Sequence, residues 1–95
     1  MRENIAKLKN RIIPVLQQHG VIHAAIFGSF ARGEEREDSD LDILVELRKG
    51  KTLLDLVALK LELERVLERK IDITTRNALQ PGIKERILEE QIAVI

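Results

Sequence analysis

Apolar residues recur at helical spacing over residues 3–18, where Ile5, Leu8, Ile12, Val15 and Leu16 share a face and His19-Gly20 ends the run. Pro14 sits inside this segment, which predicts a kink or a restart of the helix there. The period then changes. Residues 21–27, VIHAAIF, are almost wholly apolar and predict a strand covered on both faces. After Gly28 the residues SFAR have the length of one or two helical turns, stopped by Gly33. Residues 41–47, LDILVEL, alternate: Leu41, Ile43, Val45 and Leu47 take one face, Asp42, Leu44 and Glu46 the other, with Asp40 leading in.

Gly50 breaks the chain, and Thr52 with Asp55 three residues on marks a helix start. The helix over 53–69 carries Leu53, Leu56, Val57, Leu59, Leu63, Val66 and Leu67 on a broad apolar stripe. That stripe is core first; Leu54, Ala58 and Leu61 widen it enough for part to meet another chain. KIDITT, 70–75, predicts a short strand with Ile71 and Ile73 on one face and Asp72 on the other. Pro81-Gly82 marks a turn, and a last helix over 83–92 runs through Ile83, Ile87, Leu88 and Ile92. The apolar tail IAVI, 92–95, is core or partner surface. The order is α-β-(short α)-β-α-β-α, an α/β (α+β) fold with a small mixed sheet of about three strands and helices packed on one face.

Composition narrows the function classes. Ninety-five residues predict one domain, 1–95. Sixteen basic and sixteen acidic residues cancel, so no net charge draws the chain to nucleic acid or an anionic membrane. Phe27 and Phe30 are the only aromatic residues, too few for a base-stacking platform. A nucleic-acid-binding module is therefore disfavoured. No apolar run reaches the length of a membrane span, and MRENIAKLKN lacks a signal-peptide core. The absence of cysteine excludes disulfides and thiolate metal sites and fits the cytoplasm. His23 has no partner at metal-ligand spacing and reads as a strand residue facing a helix or solvent.

The charged chemistry gathers between residues 27 and 47. Strand periodicity puts Asp40 and Asp42 on one side, roughly 6.5–7 Å apart. At that separation two bare carboxylates repel by roughly 2–3 kcal/mol at an effective dielectric near 20. A divalent cation between them reverses the sign, and oxygen-only ligands suit Mg²⁺ or Mn²⁺, which keep waters and accept phosphate oxygens. If the strand of Asp72 lies beside that of Asp42, three carboxylates converge, enough for two ions. Gly28 lets a phosphate approach the backbone, and Ser29 offers N–H groups and a hydroxyl at a helical turn. Arg32 divides evenly between a phosphate clamp and a surface ion pair with Glu34 or Glu35. Ser39 is a further candidate for a phosphate or metal-water contact. Each residue also has a plainer reading: a solvated strand entry for the aspartates, a turn for Gly28 and a cap for Ser29.

Gly28-Ser29, ten residues, then Asp40-x-Asp42 resembles the GS-x(10)-D-x-D motif of the DNA polymerase beta-like nucleotidyltransferases. The small size, the Ala31-Arg32-Gly33 that follows GSF, the SDLDILVEL string and the later RKIDITT resemble its minimal nucleotidyltransferase (MNT) group nearly end to end. The resemblance implies a polymerase beta-like nucleotidyltransferase fold, with Asp40, Asp42 and Asp72 as catalytic metal ligands. It implies Mg²⁺ (two ions, or Mn²⁺) as cofactor and ATP as substrate. MNT proteins are antitoxins paired with a HEPN-domain ribonuclease toxin. An antitoxin role is therefore implied: AMP passes from ATP to a toxin tyrosine, within a hetero-oligomer. A binding-only antitoxin that occludes the toxin is the alternative, and a small-molecule (aminoglycoside-type) nucleotidyltransferase ranks below it.

Overall fold

The computed structural model describes residues 5–34, 36, 39–75 and 80–95, with the backbone alone at positions 83 and 84. Its elements are α1 (Ile5–Gln18), β1 (Val21–Phe27), α2 (Ser29–Arg32), β2 (Leu41–Leu47), α3 (Leu53–Leu67), β3 (Ile71–Thr75), α4 (Pro81–Glu90) and β4 (Ile92–Ala93). The strands form one mixed sheet in the order β3-β2-β1-β4. β2 is antiparallel to β1 and parallel to β3. A parallel neighbour needs a crossover, which α3 supplies.

One face of this sheet is sealed by α1 and α3. Leu8, Ile12, Val15 and Leu16 of α1, with Leu59, Leu63 and Leu67 of α3, close over Leu41, Ile43, Val45 and Ile71. Val21, Ala24 and Ile26 of β1 join the same core. An odd and two even positions of one strand share a face because the pairing register shifts between Val21 and His23, a bulge that resets the alternation. It also corrects the expectation of a β1 covered on both faces: Ile22 and His23 are exposed, while Val21 and Ala24–Ile26 are buried.

The local signals account for most boundaries. Thr52 N–H donates to Asp55 Oδ2 at 2.7 Å, the reciprocal half of a capping box that starts α3. α1 runs through Pro14 without the restart expected there; Pro14 lies on its exposed side. The strand count is four, not about three. Ile92, expected in the last helix, belongs instead to β4, because α4 ends at Glu90. The outer edge of β1 presents unpaired backbone groups, and the apolar tail satisfies them. Ala25 pairs with Ala93 and Ile26 with Ile92, and the Ala24 carbonyl accepts from Val94 N–H at 2.9 Å. On the face away from α1 and α3, Ala25 and Leu44 are in register and both buried, as is Ile87 of α4. No helix among the described residues is long and apolar enough to cross a membrane.

Candidate active site

β1 ends at Phe27, and Gly28 turns the chain with φ 72° and ψ −148°, a conformation that essentially only glycine adopts. A second constraint acts on the same residue. A Cβ placed on Gly28 would lie 2.2 Å from Asp42 Oδ2. The bare backbone is what allows the carboxylate to sit against the turn. Ser29 opens the four-residue α2, whose bonds are short-range: Arg32 N–H reaches the Gly28 carbonyl at 3.1 Å, and Glu34 N–H the Ser29 carbonyl at 2.8 Å.

Asp42 occupies the middle of a three-strand rung, opposite Phe27 on β1 and opposite Asp72 on β3. Its neighbours Leu41 and Ile43 point into the core, so Asp42 and Asp72 emerge together on the other face. Parallel strands lie about 4.8 Å apart, closer than the Asp40–Asp42 spacing along one strand. The Asp42 carboxyl is pushed from 3.8 up to about 6, first by burial, then by the charges of Asp72 and Asp40 and by a hydrogen bond to Asp72. The charge of Arg32 pulls the other way and is the weakest of these influences. Asp40 is exposed at the entry to β2 and reaches Asp42 through its field. Among the described residues, no three His, Cys, Asp or Glu side chains gather closely enough to ligate one ion unaided. The arrangement is a carboxylate pair with a third acid nearby. That set fits Mg²⁺, which takes one or two carboxylates and fills its other positions with water and phosphate oxygens.

Arg32 is engaged on the surface: Nε contacts Glu34 Oε2 at 3.1 Å and Nη1 contacts Glu90 Oε2 at 3.2 Å. These carboxylates raise its pKa further. Of its two expected roles, the ion pair is the one formed here; Glu35 lies outside the described residues, as do Glu37 and Asp38 of the same loop. Ser39 Oγ accepts the Arg36 N–H at 2.7 Å, and Ser39 N–H returns to the Arg36 carbonyl at 3.0 Å. The hydroxyl thus closes the loop that leads into Asp40, and its own proton stays available to an anion.

Two features escaped the sequence. Glu90, 58 residues from Arg32, holds it from α4, and no local pattern signals that contact. The Arg69 guanidinium stacks 4.9 Å from the centre of the Phe30 ring. This ties the residue three before Asp72 to the helical turn that follows Gly28. Farther along the same sheet face, a hollow of about 280 Å³ is lined by His23, Ala25, Leu44, Glu46, Gln91 and Ile95. It begins at the Ala25–Leu44 pair, two rungs beyond Asp42.

Comparison with known proteins agrees with this geometry. The chain is 54% identical over 92 residues to a protein of Methanocaldococcus jannaschii provisionally named a protein adenylyltransferase, covering 97% of this chain and 99% of that one. It is 37% identical over 78 residues to protein adenylyltransferase MntA of Thermococcus cleftensis, covering 82% and 79%. A solved structure described as a minimal nucleotidyltransferase superposes with a TM-score of 0.83 at 40% identity, over 96% of both chains. A chain of a toxin–antitoxin complex solved with AMP-PNP shares the fold, with a TM-score of 0.80 at 19% identity over 92% of this chain and 72% of that one. The sequence profile of the family described as polymerase beta, nucleotidyltransferase matches residues 10–95. The chain, with its glycine-serine turn laid against paired aspartates, belongs to the polymerase beta nucleotidyltransferase family.

Proposed function

We propose that this protein is a cytoplasmic antitoxin that transfers AMP from ATP to a tyrosine hydroxyl of a cognate HEPN-domain toxin and so neutralises it. One observation carries the reading: the Asp42–Asp72 rung is pressed against the Gly28 turn, which sets a cation-seeking pair beside a phosphate-accepting backbone. The names of the relatives, protein adenylyltransferases at 54% and 37% identity, supply the transferred group.

In this mechanism Gly28 and Ser29 bind the β- and γ-phosphates through backbone N–H groups and the Ser29 hydroxyl. Ser39 donates its hydroxyl proton to the same anion, and Arg32 exchanges Glu34 or Glu90 for a phosphate oxygen. Asp40, Asp42 and Asp72 are the residues that would hold Mg²⁺, or Mn²⁺ in its place, with two ions as the full complement. When bound there, the ion would supply charge neutralisation for the triphosphate and acidify the acceptor hydroxyl. The tyrosine oxygen attacks the α-phosphorus in line, the bond to pyrophosphate breaks, and the Asp72 carboxylate takes the phenolic proton. Positioning and electrostatics provide most of the acceleration. With only two aromatic residues in its sequence, this chain offers little to hold an acceptor, and the partner supplies the acceptor side.

The test is incubation of the chain with its HEPN partner, ATP and Mg²⁺, followed by intact-mass measurement of the partner. A gain of one or more AMP units, lost with Asp42→Asn and with chelator, supports the reading. An unmodified yet neutralised partner replaces it with simple occlusion.

A further inference from the structure

The proposed chemistry leaves one prominent surface of the molecule unused. On α3, Leu53 is 74% exposed, Leu54 81%, Val57 45% and Leu61 60%, and Ala58 between them is exposed as well. At 100° per residue these side chains form one stripe on the outer side of the helix, opposite the buried Leu59, Leu63 and Leu67. Asp55 and Lys60 fall to its flanks, so about two turns are free of charge. A contiguous apolar patch on the order of a few hundred Å² marks an interaction site in a protein with 34% charged residues.

We propose that the outer face of α3 is a self-complementary surface on which two copies of this chain pair antiparallel, about a two-fold axis between Val57 and Ala58. The order of side-chain sizes selects a second copy as the occupant. Leu54-x-x-Val57-Ala58-x-x-Leu61 reads nearly the same in both directions. An antiparallel two-fold therefore sets Leu54 of each copy against Leu61 of the other, and Val57 beside Ala58, whose small side chain permits close approach at the crossing. Isologous contacts of this kind close on themselves and do not propagate.

The location supports the same occupant. α3 covers the core face of the sheet, whereas Asp42 and Asp72 emerge on the other face. A partner presenting a hydroxyl to the carboxylates approaches from that other face, so the α3 stripe is not its landing site. Pairing through α3 leaves both carboxylate sites open, back to back. The stripe is smaller than the standard interface of about 800 Å² per partner, so the dimer is weak, with a dissociation constant on the order of tens of micromolar. The placing of the acceptor on the other face rests on the adenylyl-transfer reading, whereas the exposed stripe and its two-way symmetry stand without it.

The test is sedimentation velocity on the full chain from about 5 to about 500 µM. It is run on wild type, Leu54→Lys and Leu61→Lys, with circular dichroism as the check on folding. Wild type is expected to shift from monomer to dimer across that range, and each lysine variant to raise the dissociation constant at least about tenfold. The chain has no cysteine, so Ala58→Cys provides a second readout. It is expected to form a disulfide-linked dimer under mild oxidation much faster than Gln17→Cys on the exposed side of α1. A monomer at the highest concentration, wild-type dimerisation by Leu61→Lys, or equal cross-linking of the two cysteine variants overturns the proposal.

Discussion

Asp42→Asn should make the metal-free protein more stable while abolishing its activity. The wild-type carboxyl rises from 3.8 to about 6 because it is half-buried and faces Asp72 and Asp40. Were the group fully enclosed, that rise would cost the folded state about 3 kcal/mol at neutral pH. Solvent screening of a partly exposed cluster reduces the figure to about 1–2 kcal/mol. Asparagine keeps the size of the side chain, removes one of the repelling charges, and can donate its amide N–H to Asp72. The sign follows from proton binding: between about pH 4 and pH 6 the folded state holds a proton that the unfolded state has lost. The penalty is therefore complete above the folded pKa and fades as pH falls toward the unfolded one.

Urea unfolding in the presence of chelator measures this directly. With a slope of about 1 kcal/mol per molar urea for a chain of this size, the Asn variant should gain about 1–2 M in midpoint at pH 7.5. Its advantage should shrink steadily between pH 6 and pH 4. Added Mg²⁺ should raise the wild-type midpoint and leave that of the variant nearly unchanged. A variant no more stable than wild type at pH 7.5, or an advantage that ignores pH, would refute the account of a frustrated carboxylate pair.

Gly28→Ala should lose adenylyl transfer and about 1–3 kcal/mol of stability, since φ 72° with ψ −148° excludes a side chain and the new Cβ must displace Asp42; thermal melts and intact-mass assays report the two effects separately. Arg32→Ala should raise the KM for ATP more than it lowers kcat, whereas Glu90→Ala, which releases Arg32 from one of its two carboxylates, should lower KM; an unchanged KM in both confines Arg32 to the surface ion pair. Leu63→Ala, at a position with no exposure, should cost about 2–5 kcal/mol in urea unfolding. Leu61→Ala, two residues away and 60% exposed, should cost less than about 0.5 kcal/mol when measured at sub-micromolar concentration.

The residues differ in how openly their sequence declared them. Leu41 to Leu47 alternate so regularly that strand, core face and polar face could all be read off, because Leu41, Ile43 and Val45 are buried together while Asp42 and Glu46 on the other face are only half-buried. Thr52 and Asp55 announced α3 through side chains that bond their own backbone. β4 was illegible for the opposite reason: two residues of the tail IAVI become a strand only because the edge of β1 is there to receive them, and apolar spacing alone continued the helix through Ile92. The bulge after Val21 likewise depends on pairing with β2. At the site, the motif spacing singled out Gly28 and Asp42, but their mutual contact is tertiary. The pairing of Arg32 with Glu90 bridges segments 58 residues apart, and no local pattern encodes it.

The core and the carboxylates are two outputs of one register. β3 lies parallel to β2 with Leu41 beside Ile71, Asp42 beside Asp72 and Ile43 beside Ile73. A slip of one residue would turn Asp72 inward and Ile71 outward. Ile71 is 2% exposed, and Leu41 and Ile43 are fully buried. Burying each such side chain is worth about 1.5–3 kcal/mol, more in sum than the roughly 1–2 kcal/mol that burial and its acidic neighbours cost Asp42. The apolar face therefore dictates the alignment, and the acidic face must accept it. Two like charges are held side by side because the isoleucines and leucines behind them leave no better arrangement. That imposed repulsion is what a bound cation would relieve under the proposed function, so the packing that folds the sheet would also prepare its site.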